Sequence, residues 1–207
     1  VLYADDSFGA DGVAGAQKGL AQARLEPVVL EKFNRAQPDF APPAAKIAQA
    51  QAQAVMIIGS GTTVVDGYAA LRKAGSTAQL VALSNNASNG FIKSLGEHAR
   101  GVIVSQVFPN ERSLGYPMVR EAIELNKARG QGDVSPAMLE GFAAAKVLVE
   151  GLRRAGPKPT REKIQTALES IQQLDLGGLF VSYGENDHTG LDFADLSIIG
   201  ADGKFRR

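Results

Sequence analysis

Ala54-Val55-Met56-Ile57-Ile58, closed by Gly59-Ser60-Gly61 and followed by Thr62, is an unbroken apolar run that stops abruptly in small residues. Such a run suits a strand covered on both faces, as in a parallel sheet. Thr62 stands where a helix cap would, the pattern behind it continues to Ala74, and Gly75 holds the place of a terminating glycine. The unit is therefore read as strand, tight turn, helix. Further strands are expected at 1–4, 27–30, 79–83 and 101–107, at intervals that fit βα units. Between them, Val13, Ala16, Leu20 and Ala23 line one helical face, and 42–54 reads as an Ala/Gln-rich helix with Pro at its start. The first half of the chain is thus predicted to be α/β with a parallel sheet.

After Pro109 the rhythm changes. Helices are expected at 116–129 and 136–155, the second broken by Gly156-Pro157-Lys158-Pro159. Thr160 caps a third helix that runs to residue 170. Strands at 179–183 and 193–199 follow, the latter leading into the turn Ala201-Asp202-Gly203-Lys204.

Composition narrows the functional classes. The 207 residues are 44% hydrophobic and 21% charged, which suits a folded chain. Lys+Arg and Asp+Glu are both 22, so no basic surface for nucleic acid or anionic lipid is implied. No apolar run approaches the ~20 residues that cross a bilayer. Cysteine is absent, which removes disulfides, zinc-thiolate sites and thiol nucleophiles together. The two histidines, His98 and His188, lie in polar loop and turn contexts and form no triad with a serine and an acid. No cofactor motif is present, and an enzyme is not the expected reading.

Three strand ends carry groups that could meet a ligand, since α/β folds place ligands at the carboxyl ends of their strands. Asp5-Asp6 follows the first. A Mg²⁺ site there would also need an acid after the third strand, where Gly59-Ser60-Gly61 stand, so a solvated turn with a helix-capping Asp is expected. Gly59-Ser60-Gly61-Thr62-Thr63 offers amides and hydroxyls to an anion, or else is an ordinary βα turn; it lacks the lysine of a phosphate loop. Ser84-Asn85-Asn86-Ala87-Ser88-Asn89 offers uncharged hydrogen-bonding side chains, suited to a polar small molecule or to a plain loop.

Laid end to end, these segments resemble the substrate-binding proteins of branched-chain amino-acid ABC importers, the Leu/Ile/Val-binding type. The likeness rests on Tyr3-Ala4-Asp5-Asp6-Ser7-Phe8-Gly9-Ala10-Asp11-Gly12, on Pro38-Asp39-Phe40 and on 101–109. It continues through Glu140-Gly141-Phe142, Leu152-Arg153-Arg154-Ala155-Gly156, Leu176-Gly177-Gly178, His188 and Asp202-Gly203. The resemblance implies a type I periplasmic-binding-protein fold, N-terminally truncated. Residues 1–104 would form the second ligand-binding lobe, 105–175 the hinge crossing and helices of an incomplete first lobe, and 176–207 the returning strands and tail. Helices without a sheet to cover would expose Met118, Ile123, Leu139, Phe142, Val147 and Leu148, so self-association through them is expected.

The resemblance further implies a periplasmic, non-enzymatic receptor that binds a small organic solute, amino-acid-like or an aromatic or other organic acid, between two lobes and presents it to a membrane permease, with no cofactor, metal or nucleic acid. The ligand contacts it implies are Phe8, Ser60, Gly61, Thr62, Ser84, Asn85 and Ala137. Gly61 stands where amino-acid binders place a Tyr, and Ser84 where they place an acid for the ligand ammonium. An α/β enzyme acting on a phosphorylated or anionic molecule, and the ligand-sensing domain of a receptor, are the alternative readings.

Overall fold

A computed structural model describes residues 1–207. The chain begins β1 (Leu2–Ala4), α1 (Ser7–Gln22), β2 (Glu31–Phe33), α2 (Ala41–Gln49), β3 (Ala54–Ile58) and α3 (Thr62–Lys73). It continues β4 (Gln79–Ala82), α4 (Asn89–Leu95), β5 (Ile103–Gln106), α5 (Pro117–Ala128), α6 (Pro136–Ala155) and α7 (Arg161–Glu169). It closes with β6 (Leu174–Asp175), β7 (Phe180–Gly184), β8 (Asp187–Gly190), β9 (Asp195–Ile199) and β10 (Phe205–Arg206). Two compact units result: Val1–Ser105 with Leu196–Arg207, and Gln106–Asp195.

In the first unit the strands are ordered β10-β9-β5-β4-β3-β1-β2, with β1 to β5 parallel and β10 antiparallel to β9. The order β2-β1-β3-β4-β5 means that the first crossover runs opposite to the later ones. Right-handed crossovers therefore set α1 on one face and α2, α3 and α4 on the other. One face of the sheet, with Leu2, Ala4, Val55, Ile57, Leu80, Ala82 and Val104, is fully buried and shares a core with Ile47, Leu71 and Phe91. Alternate residues face α1. There Ile58 is buried, and a β-carbon on Gly12 would lie 2.6 Å from its Cγ2, so glycine lets the helix come close. Met56 is only half-buried, so the run at 54–58 is sealed on one face and partly open on the other.

The expected α/β class with a mostly parallel sheet is found, and several elements move. The second strand lies at Glu31–Phe33 rather than 27–30. Its register pairs Leu2 with Glu31 and Ala4 with Phe33, which carries Phe33 into the core and leaves Val28 74% exposed. The helix expected at 42–54 ends at Gln49, and Gln51 turns the chain with φ 49°. Thr62 is not a cap. Gly61 holds the cap position, with no side-chain capping bond, and Thr62 is the first helical residue. Gly75, at φ 82°, follows the end of α3 as expected.

The second unit has α5, α6, α7 and an antiparallel sheet ordered β6-β7-β8. Ser135 and Thr160 cap α6 and α7 through hydrogen bonds from the amides of Met138 and Lys163. Strands β6 and β8 were not expected from the sequence; residues 187–190 read as a turn, but they pair with β7. The unit makes its own core. Met118 packs with Ile171, Leu176, Leu179 and Val181, while Leu139 packs with Val119 and Ala122. This corrects the expectation of bare helices: Met118 and Leu139 are fully buried, and Ile123, Phe142 and Val147 are half-buried. Only Leu148 of that set is exposed, at 50%, and self-association through the set has no support.

Candidate functional site

The reversal of crossover direction falls between β1 and β3, and the crevice beyond the carboxyl ends of those strands is where open α/β sheets take ligands. Three loops meet there, after β1, β2 and β3, and the loop after β4 joins them.

The loops after β3 and β4 are tied by amides. Asn86, 1% exposed, accepts a hydrogen bond from the Gly61 amide at 3.0 Å and donates to the Gly59 carbonyl at 3.2 Å. Asn85 donates to the same carbonyl at 3.1 Å, and the Ser84 amide donates to Ser105 Oγ at 3.0 Å. Within the first loop, Thr63 Oγ1 donates to the Ser60 carbonyl at 2.8 Å. Gly61 adopts φ 54° and ψ −125°, a conformation that strains any L side chain even though space is open around it. The missing side chain at this position is therefore a backbone requirement as well as a widening of the crevice. Thr62 opens α3, whose first amides have no intrahelical acceptor.

The loops after β1 and β2 are tied by charge. Asp6 caps α1, accepting from the Gly9 amide at 2.9 Å, and its other oxygen accepts from Arg35 Nε at 2.8 Å. Arg35 Nη1 donates to Ser60 Oγ at 2.9 Å, and the guanidinium lies 5.5 Å from the ring centre of Phe8, which is 39% exposed. Asp5 pairs with Lys32 at 3.0 Å. Both acids after β1 are thus engaged by cations of β2 and its loop.

The Arg35 hydrogen bond, followed by that of the Gly9 amide, holds the Asp6 carboxyl below its usual range. A lowered folded value means that the pairing favours the fold above the ordinary Asp value of about 3.9 and is lost as pH falls through the folded value. Carboxyl NMR should show Asp6 titrating below a free Asp, and Arg35→Ala should raise its midpoint. An unchanged midpoint in the variant would refute the assigned cause.

Of the sequence-derived residues, Phe8, Ser60, Gly61, Thr62, Ser84 and Asn85 gather at this sheet end. Ala137 lies in the other unit, exposed in the first turn of α6. Sequence reading missed Arg35, because a strand placed at 27–30 left Asn34-Arg35 as a distant loop; the single apolar residue Phe33 after Glu31-Lys32 was the available signal. It also gave Asn86 no part separate from Asn85. His98 is half-buried and packs its ring edge-on to Tyr68 at 5.7 Å, rather than lying in a solvated loop. His188 lies on β8, 3.2 Å from Glu169, beside a cavity of about 490 Å³ lined by Val147, Ile164, Leu168 and Tyr183. Neither histidine adjoins the gathered residues in sequence or by any of these bonds.

A family profile described as "Periplasmic binding protein" matches residues 1–195. Among solved structures, the chain is similar to a substrate-binding periplasmic protein from Ralstonia solanacearum, with 31% identity and TM-score 0.85 over 99% of this chain and 59% of that one. An extracellular ligand-binding receptor from Verminephrobacter eiseniae shows 29% identity and TM-score 0.79, over 100% and 59%. A protein described as a possible leucine/isoleucine/valine-binding protein from Rhodopirellula baltica shows 25% and 0.86, over 100% and 58%. The chain spans about three fifths of the length of these structures. No curated protein matches.

Proposed function

The chain belongs to the periplasmic binding protein family, type I in fold, and from that premise we propose that it serves as the solute receptor of an ABC-type importer. It binds a small organic solute in the periplasm and hands it to a membrane permease. The family is one of solute-binding rather than catalytic proteins. The observation that carries the reading is the gathering of Phe8, Ser60, Thr62, Ser84 and Asn85 at the topological switch of the sheet, where Asn86 locks the loops after β3 and β4 to each other. Hydroxyls, an amide and an aromatic ring on braced loops can orient a solute and desolvate it, while offering no acid–base pair to transform it. Phe8, Arg35, Ser60, Thr62, Ser84 and Asn85 all come from 1–104, and that segment is proposed as one ligand-binding lobe; 105–175 and 176–207 are proposed to supply the hinge crossing and the return.

Calorimetry and thermal melting of the purified protein with amino acids and organic acids test the proposal. One solute should bind and raise the melting temperature, by about 2.7 kcal/mol of stabilisation at a hundredfold excess over Kd. The solute should be recovered unchanged. Alanine at Ser60, Thr62 or Ser84 should each weaken binding by about 0.5–1.5 kcal/mol. Turnover of the solute, or binding indifferent to all three changes, would defeat the reading.

A further inference from the structure

We infer that Arg35 is the anion-binding group of this site and that the solute is an organic carboxylate rather than a free amino acid. The inference rests on the receptor reading above and names its substrate class.

Arg35 stands just beyond the carboxyl end of β2, and its head is fixed from three sides. Nε donates to Asp6, Nη1 donates to Ser60 Oγ, and the Phe8 ring lies beside the guanidinium. Nη2 takes no partner from the chain. A guanidinium so braced keeps a planar donor edge ready for a carboxylate and loses little freedom on binding. Its two anchors belong to the first and third strand ends, so the cation is carried onto the crevice although its own strand lies at the sheet edge.

An ammonium would fare poorly at the same place. The one carboxylate bonded into the network is Asp6, whose oxygens already accept from the Gly9 amide and from Arg35, and its neighbour Asp5 is paired with Lys32. The remaining groups, Ser60, Thr62, Ser84 and Asn85, are uncharged. A desolvated α-ammonium would have to compete with Arg35 and Lys32 for Asp6 and Asp5, whereas a carboxylate finds a charged fork beside hydroxyl donors. Phe8, partly exposed next to Arg35, offers apolar contact to the body of the same ligand.

The test is calorimetry on the purified protein with benzoate, phenylacetate and succinate, each paired with its neutral amide, and with leucine. At least one acid should bind at least tenfold more tightly than its amide and than leucine. Arg35→Ala should weaken that acid at least tenfold and leave the amide unchanged; Arg35→Lys, which keeps charge but not the fork, should fall between. Lys32→Ala removes a neighbouring cation that pairs with Asp5, and should leave affinity within twofold, which separates a direct contact from a general field. An acid bound equally well by Arg35→Ala, or leucine bound in preference to every acid, would overturn this inference while leaving the receptor reading standing. Failure of every solute to bind would remove both.

Discussion

Replacing Gly9 with alanine is expected to cost about 3–5 kcal/mol, a large share of the ~5–15 kcal/mol that holds a domain together. Gly9 is the buried residue of the first turn of α1. A β-carbon there would lie 1.8 Å from the Ala4 carbonyl oxygen and 2.8 Å from its carbon. The obstacle is backbone of β1, paired on both sides with β2 and β3, so it cannot turn away as a side chain would. Helix and strand would have to separate, and the Asp6 cap and the braced Arg35 would move with them. The same helix supplies the control. A β-carbon on Gly15 would meet nothing within 4 Å, so Gly15→Ala should stabilise by about 0.5–1 kcal/mol through helix propensity alone. Urea denaturation of the two variants should give midpoints shifted in opposite directions. A Gly9→Ala loss below about 1 kcal/mol would show that α1 packs differently on β1.

Asn86→Ala should cost about 1–3 kcal/mol and also abolish strong solute binding. The Gly59 carbonyl keeps Asn85 as a partner, but the Gly61 amide loses its acceptor, and the loop after β3 is no longer held to the loop after β4. Asn86→Asp separates the two roles. It preserves an acceptor for Gly61 yet sets a buried carboxylate against the Gly59 carbonyl, which the native amide approaches as a donor. This nearly isosteric change should therefore destabilise as well, and more at neutral pH than in acid, where the carboxyl can protonate and donate. Binding and melting curves that leave both variants like the parent would show that the two loops are positioned by something other than this amide.

Much of the fold could be read from local pattern. The run at 54–58, the glycine at 75, the Ser135–Pro136 start of α6 and the Thr160 cap are each settled by residues within a few positions of one another. Capping, proline tolerance and continuous apolar strands act at that range. Elements whose signal is weaker than their pairing were missed or displaced. Strand β2 has three residues, two of them charged, and exists where it does because Phe33 must face the core beside Ala4. Strand β8 is Asp-His-Thr-Gly, a turn by composition, and is a strand because β7 presents an edge to it.

The candidate site divides in the same way. Sequence alone determined the α/β class, the carboxyl ends of β3 and β4 and their load of hydroxyls and amides at Ser60, Thr62, Ser84 and Asn85, because alternation of strand and helix fixes where loops fall. Tertiary structure decided that Arg35 joins them, that Asp6 is consumed by capping and pairing, and that Ala137 belongs to another unit. The physical reason is sequence distance. Arg35 meets Asp6 and Ser60 across 29 and 25 residues, and such contacts depend on the order of strands in the sheet rather than on any property of the residues nearby.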